Sequence, residues 1–256
     1  MFDTLIDPAD NGGVGIGFTD RQGGVSIAAQ ASLNLGRSDV DQYSHLRTNM
    51  ARVRAVTGIG PVAALHQVHG VAVHNADEDG RDWADDAWVG DRVPGAPALP
   101  VADAAFTTRR GLALVVRVAD CLPVLLADPG AGVVAAAHAG RRGLLEGVLV
   151  QTVAAMRCAG ARDLQAWLGP HICGRCYEVP VQMAADAAAV LPATRATTSW
   201  GTPAVDLGAG AEAQLVDLGV RVTRHDPCTL TGQNLFSHRG DGAQTGRQVG
   251  LVWLAE

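Results

Sequence analysis

The 256-residue sequence contains no lysine; all twenty basic residues are arginines. That absence removes three chemistries at once, because a P-loop, a Schiff base and a Ser–Lys dyad each need a lysine. Any anion must be held by arginine, by backbone N–H groups or by a metal. Charge is also scarce, at 18% of residues with a net charge of −6. The basic footprint of a general nucleic-acid binder is missing, so no nucleic-acid partner is expected. Low charge together with 48% hydrophobic residues excludes a disordered chain and allows a sizeable core. No uncharged apolar run reaches the roughly 18 residues of a membrane span, so no membrane partner is expected either. The start, Met1 to Asp7, is acidic and lacks an apolar h-region, which reads as a cytoplasmic chain without a secretory signal. Five irregularly spaced cysteines then fit free thiols or metal ligands rather than a disulfide framework.

Glycine is abundant, at 31 residues, and points to many turns and close backbone approaches. No internal repeat or low-complexity run is present. Residues 77–100 are acidic and rich in Gly and Pro and read as a surface excursion within a single domain over 1–256. Residues 41–57 have helical spacing at Leu46, Met50, Val53 and Val56, with Asp39 or Asp41 as cap and Gly58 as stop. Three apolar runs of strand length follow, at 112–118, 123–127 and 133–137. One helix is expected over 141–159, ended by Gly160, with further helices near 181–190 and 208–218 and a last strand over 249–254. Strands and helices mix without strict alternation, which predicts an α+β fold with mixed sheets and flanking helices. Composition permits a monomer or a dimer.

Three metal-type ligands sit at expected strand ends: His69 in His66-Gln67-Val68-His69-Gly70, Cys121 after Ala119-Asp120, and His138 before Ala139-Gly140. Two imidazoles and a thiolate suit Zn²⁺ with an open fourth position, and they also suit copper. The alternative is a buried structural cysteine beside two hydrogen-bonded histidines. Spacing alone does not separate the two readings.

Six motifs, in order, sharpen the picture. They are Gly17-Phe18-Thr19-Asp20-Arg21-Gln22-Gly23-Gly24-Val25-Ser26, Ser32-Leu33-Asn34-Leu35-Gly36, Gln67-Val68-His69-Gly70, Ala119-Asp120-Cys121-Leu122-Pro123, His138-Ala139-Gly140 with Arg142-Gly143, and Gly169-Pro170 with Cys176-Tyr177-Glu178-Val179. Together they resemble the YfiH-like laccase-domain family, first described as multicopper polyphenol oxidases and later as purine nucleoside phosphorylases. The resemblance runs from about Gly17 to Arg247. It implies an α+β fold and a zinc site at His69, Cys121 and His138. It also implies phosphorolysis of adenosine, inosine and S-methyl-5′-thioadenosine, with some adenosine deamination, so that a purine nucleoside and phosphate would be the partners. Two motifs depart from the pattern. Arg141 stands where HAGWRG has tryptophan, and His238 and Gly240 replace a tyrosine and an arginine of FFSYRRDG.

Several other residues carry two readings each. Arg21 and Asn34 either hold phosphate and ribose hydroxyls, or serve as a surface ion-pair partner and a turn former. Arg142, at a helix start next to His138, is a candidate anion site, with a solvated first-turn arginine as the alternative; Arg141 is a weaker candidate. Arg239 is a further candidate for phosphate. Asp120 either orients a metal-bound histidine or acts as a base, or else fixes the turn. Catalytic roles are thus expected for Cys121, His138 and Asp120, with Asp120 and His238 as candidate proton donors to the leaving base. Cys173-Gly174-Arg175-Cys176 reads as ordinary free thiols, since no second CxxC completes a site and His171 would bring the set only to three. His66 falls on the opposite strand face from His69, and His45, His74 and His225 read as surface.

Four functions compete. Phosphorolysis leads. Copper-dependent phenol oxidation is weakened by the absence of any His-x-His pair among eight histidines. An amidase acting on cell-wall precursors would use Cys121 as nucleophile or ligand. A binding module without catalysis is the fourth.

Overall fold

The computed structural model describes residues 1–36, 41–78, 80–83, 86–92 and 97–256. Its strands are β1 (Phe2–Ile6), β2 (Val14–Thr19), β3 (Val62–Ala63), β4 (Val73–Asn75), β5 (Ala104–Thr107), β6 (Ala113–Val118), β7 (Leu122–Asp128), β8 (Val133–Ala139), β9 (Gln165–Leu168), β10 (Arg195–Thr197), β11 (Pro203–Val205), β12 (Arg221–Arg224) and β13 (Gln248–Leu254). Its helices are α1 (Tyr43–Thr57), α2 (Arg141–Glu146), α3 (Val148–Cys158), α4 (Val181–Val190), α5 (Leu207–Asp217) and α6 (His238–Asp241). No helix among the described residues is long and apolar enough to cross a membrane.

The strands build two larger mixed sheets and a hairpin, the α+β arrangement expected. One sheet has the order β1-β2-β13-β6-β3, the other β12-β9-β7-β8-β5-β4, and β10 pairs with β11. The central strands β7 and β8 are buried at every position and mostly apolar, because this part of the second sheet is covered on both faces. Along β7, Leu125 and Ala127 join the core between the sheets, with Val115, Leu251 and Trp253 of the first sheet. The alternate residues Val124 and Leu126 meet Leu149, Val153 and Met156 of α3 and Ala211 and Leu215 of α5. Period-two alternation thus feeds two cores from one strand. Each large apolar side chain so buried contributes about 1.5–3 kcal/mol. Cross-strand packing within the first sheet also fixes Gly15, opposite Trp253, where a Cβ would lie 2.1 Å from the Trp253 ring.

Three expectations are corrected. The first helix starts at Tyr43, because Asp41 is drawn inward to accept from Ser26, Asn34 and His45 rather than capping. Asp39, the other expected cap, lies outside the described residues. On the same helix Leu46, Met50 and Val53 are buried but Val56 is exposed. The helix expected over 141–159 is two, α2 and α3, broken at Gly147 with φ +96°. Finally, the 77–100 segment is not merely a surface excursion. Trp83, Trp88, Val89 and Leu99 are buried in the inter-sheet core, and Arg117 Nη2 donates to the Trp88 carbonyl at 2.6 Å. Its acidic and Gly/Pro composition conceals four anchoring apolar side chains among the described residues.

Register sets the site. β7 pairs antiparallel with β8 so that Pro123 faces His138 and Leu122 faces Ala139. Cys121, one residue before β7, is thereby placed beside the end of β8.

Candidate metal centre and its cavity

His69 occupies the connection between β3 and β4 with φ +61°, a conformation rare for a residue with a side chain. A single carboxylate imposes it. Asp103, fully buried just before β5, accepts from the N–H groups of Val68 (3.1 Å), His69 (2.9 Å) and Gly70 (2.7 Å). Its Oδ1 also bonds His138 Nδ1 at 2.8 Å, leaving Nε2 for the other side of the ring. One buried anion therefore shapes the loop of one histidine and aims the ring of the other. This is the carboxylate–histidine support that metal ligands commonly have. Sequence reasoning misses it; the only signal is an acid inside the apolar stretch Leu99–Phe106.

Cys121 is carried on the β6–β7 turn, where Asp120 has φ +86°. The Asp120 carboxylate accepts from Thr229 Oγ1 (2.6 Å), Ser237 Oγ (2.7 Å) and the Arg239 N–H (2.6 Å). These bonds tie the turn to two distant segments, and none of them goes to a histidine. Of its two readings, turn fixation is the one the contacts describe.

His69 Nε2 lies 3.6 Å from Cys121 Sγ, and the His69 and His138 rings meet edge to face with centroids 4.8 Å apart. Ligand atoms of all three residues lie within 4.8 Å of one another. Nitrogen and sulfur donors on one tetrahedral zinc stand about 3.5 Å apart, so the spacing fits an ion with little movement. Gly140 makes the room, since a Cβ there would sit 2.6 Å from His69 Cδ2 and 3.3 Å from Cys121 Sγ. Burial pushes the Cys121 thiol up. The charge of His138, with hydrogen bonds from His138 and His69, outweighs it and brings the thiol down to about 6. Burial conversely pushes His138 down, and the Cys121 charge with the Asp103 hydrogen bond carries it up to about 9. The pair behaves as thiolate and imidazolium, poised to exchange its proton for a cation.

The triad opens into a cavity of about 760 Å³, a size suited to a small-molecule ligand. Arg117, Arg141, Arg239 and Arg247 line it, with Tyr177, His66 and His238. Among the described residues Asp120 is its only lining carboxylate, so the basin favours anions. Arg239 lies over the Tyr177 ring at 5.4 Å and donates to the Glu178 carbonyl. The Tyr177 phenol is pushed up by burial and by the Cys121 charge, with Arg141 and Arg239 opposing. Burial pushes the Arg247 guanidinium down, against the pull of Cys121 and Asp120.

Of the arginines expected to bind anions, Arg239 lines the cavity and Arg142 does not. Arg142 is exposed and paired with Glu146 at 2.9 Å, one turn along α2, so it points away from the triad. Its neighbour Arg141 takes the place on the wall. Arg21 is also outside the lining; it donates to the Ala31 carbonyl, pairs with Asp241 and stacks on Phe236. Asn34 is fully buried, and its Oδ1 accepts from the N–H groups of Gly36 and Arg247. It holds the backbone of a cavity arginine rather than a ligand. Arg117 and Arg247 carry no sequence signal, being single arginines in apolar or loop surroundings.

Known proteins share this framework. A family model described as multi-copper polyphenol oxidoreductase laccase matches residues 15–255. Purine nucleoside phosphorylase ORF3 of Streptomyces griseus is 48% identical over 93% of this chain and 93% of its own length. Purine nucleoside phosphorylase YfiH of Escherichia coli is 34% identical over 94% of each. Among solved structures, protein NMB0706 of Neisseria meningitidis superimposes with a TM-score of 0.80 at 35% identity, over 99% of both chains. YfiH of Bacillus licheniformis does so with a TM-score of 0.84 at 27% identity, over 98% of this chain and 97% of its own. Likeness at this level, over nearly the whole length of the chain, places it in the multi-copper polyphenol oxidoreductase laccase family, among the YfiH-like proteins.

Proposed function

We propose that this chain is a zinc-dependent purine nucleoside phosphorylase acting on adenosine, inosine and S-methyl-5′-thioadenosine, with adenosine deamination as a side reaction. The observation that carries this reading is the meeting of a His–Cys–His donor set with Arg141 and Arg239 in one cavity. The names of the relatives supply the reaction class.

His69, Cys121 and His138 would hold the zinc, and a bound zinc supplies Lewis-acid polarisation of an oxygen ligand. The rest of the chemistry falls to the chain. Arg141 and Arg239 hold the phosphate, whose negative oxygens match guanidinium donors. A phosphate oxygen forms a bond to ribose C1′ while the C1′–N9 bond breaks and its electron pair passes to the purine. His238, on the cavity wall, gives the proton that neutralises the departing base. Asp120 is unsuited to that role because its oxygens already accept three hydrogen bonds; it positions Cys121 and Arg239. In the side reaction water adds at adenine C6 and ammonia leaves.

The test is to incubate the metal-loaded protein with adenosine and phosphate. Adenine and ribose 1-phosphate should form in equal amounts, and inosine should accumulate slowly without phosphate. If neither adenine nor ribose 1-phosphate appears from protein that carries its metal, the reading fails. Two other readings have one observation each. The family description favours copper-dependent phenol oxidation; activity that vanishes when zinc replaces copper would support it. The low-lying Cys121 thiol beside His138 favours a thiol amidase, which a Cys121→Ser variant retaining amidase activity would refute.

A further inference from the structure

A second group of metal-type ligands lies apart from the triad. Cys173 and Cys176 follow β9, and Cys228 follows β12, whose parallel pairing with β9 brings the two strand exits side by side. The pairing continues outward as an isolated bridge between His171 and Cys228. Beyond it the chain turns tightly, the N–H groups of Cys176 and Tyr177 both reaching the Cys173 carbonyl at 2.9 Å. That turn folds the two sulfurs of the CxxC toward Cys228. The three sulfurs lie within 4.8 Å of one another, and thiolates sharing one tetrahedral ion stand about 3.8 Å apart.

The expectation that the CxxC is a pair of ordinary thiols rests on there being no second CxxC in the sequence. The missing partner is 52 residues on from Cys176 and arrives through sheet pairing.

We propose that Cys173, Cys176 and Cys228 form a second metal site, which takes a thiophilic d¹⁰ cation of the Zn²⁺ class. Three features favour an ion over a redox disulfide. All three thiols converge, where a disulfide needs two and leaves a third idle. The Cys173 N–H points at Cys228 Sγ at 3.5 Å, a donor placed for a sulfur anion. Cys176 is buried while Cys173 and Cys228 are half-exposed, so an ion would be held from beneath with one side open to a fourth ligand. His171 does not supply that ligand. Its Nδ1 bonds the Gly169 carbonyl, and its Nε2 lies against Gly208, where a Cβ would come within 2.8 Å.

The site has a structural consequence for the cavity. Ile172 donates its N–H to the Asp120 carbonyl at 3.0 Å, and Thr229 Oγ1 donates to the Asp120 carboxylate at 2.6 Å. Each neighbours a cysteine of the cluster, and Tyr177 on the cavity wall follows Cys176. An ion bridging the three sulfurs would clamp the segments that hold the Cys121 turn. The proposal does not depend on the reaction catalysed.

The experiment is metal counting on the reduced full-length protein, stripped of metal and dialysed against excess Zn²⁺. About two ions per chain should bind to the wild type. One should remain in a His69→Ala/Cys121→Ser variant and one in a Cys176→Ser/Cys228→Ser variant. As a second measurement, Cd²⁺ added to the His69→Ala/Cys121→Ser protein should give an intense thiolate-to-metal ultraviolet band, which Cys173→Ser alone diminishes. The proposal is overturned if the wild type binds a single ion that the His69→Ala/Cys121→Ser variant loses. It is equally overturned if the Cd²⁺ band is absent, or if Cys173 or Cys176 is found in a disulfide under glutathione reduction with Zn²⁺ present.

Discussion

Replacing Asp103 with asparagine should test the centre more sharply than replacing a ligand. The carboxylate accepts at Oδ1 from His69 N–H and His138 Nδ1 and at Oδ2 from Val68 and Gly70 N–H. An asparagine of the same shape has one acceptor. Pointing its NH₂ toward Val68 and Gly70 sets it against two donors. Pointing it the other way meets the His69 N–H, and satisfies His138 only if that ring moves its proton to Nε2, the nitrogen needed for a metal. Either orientation forfeits two hydrogen bonds to a charged group, about 3–6 kcal/mol at about 1.5–3 kcal/mol each. Loss of such support for a ligand lowers metal affinity by about 10–100-fold. Chelator competition should therefore show Zn²⁺ binding at the His–Cys–His site weakened by that factor in Asp103→Asn, and urea unfolding of the metal-free protein should show the lower stability. Asp163→Asn, at an exposed ion pair with Arg221, is the control and should change stability by less than about 1 kcal/mol. A folded Asp103→Asn protein with unaltered zinc affinity would refute the positioning argument.

Three further outcomes are expected. Gly140→Ala should displace His69, because its Cβ would lie 2.6 Å from the ring, and metal content after dialysis should fall while the melting temperature changes little. Arg141→Ala should raise the KM for phosphate by about 10–100-fold, the value of one charge-assisted hydrogen bond, whereas Arg142→Ala should leave it unchanged; equal effects would void the assignment of the cavity wall. In metal-free protein, Cys121 should be alkylated by iodoacetamide at pH 7 well ahead of the exposed Cys158. Since its thiol is brought down to about 6, thiolate is present above that pH and lost as pH falls through it, so the advantage should fade below about pH 6; peptide mass mapping across pH would show it.

The candidate donor set is legible in the sequence. His69, Cys121 and His138 stand at the ends of apolar runs, and six ordered motifs surround them. The apolar run of β7 and the stripes of α1 and α3 are readable for the same reason, since local runs and periodicity follow from which sides must be buried. Arg142 misleads because a position in a helix does not give a direction. The first turn of α2 presents Arg141 to the cavity and turns Arg142 toward Glu146. The 77–100 segment misleads because composition averages over residues, and four apolar anchors suffice to dock an otherwise polar loop.

By itself, then, the sequence determined the kinds of chemistry available: no lysine, soft donors, arginines for anions, and enough apolar residues for a sizeable core. Tertiary structure alone decided which groups meet. Asp103 reaches His138 through the β5–β8 pairing and the His69 loop through the β4–β5 pairing, and Cys228 reaches the CxxC through the β9–β12 pairing. Such contacts join residues 34 to 55 positions apart, as Asp103 with His69 and Cys228 with Cys173 do. Sheet register fixes them, and register depends on the packing of whole faces rather than on any local run of residues.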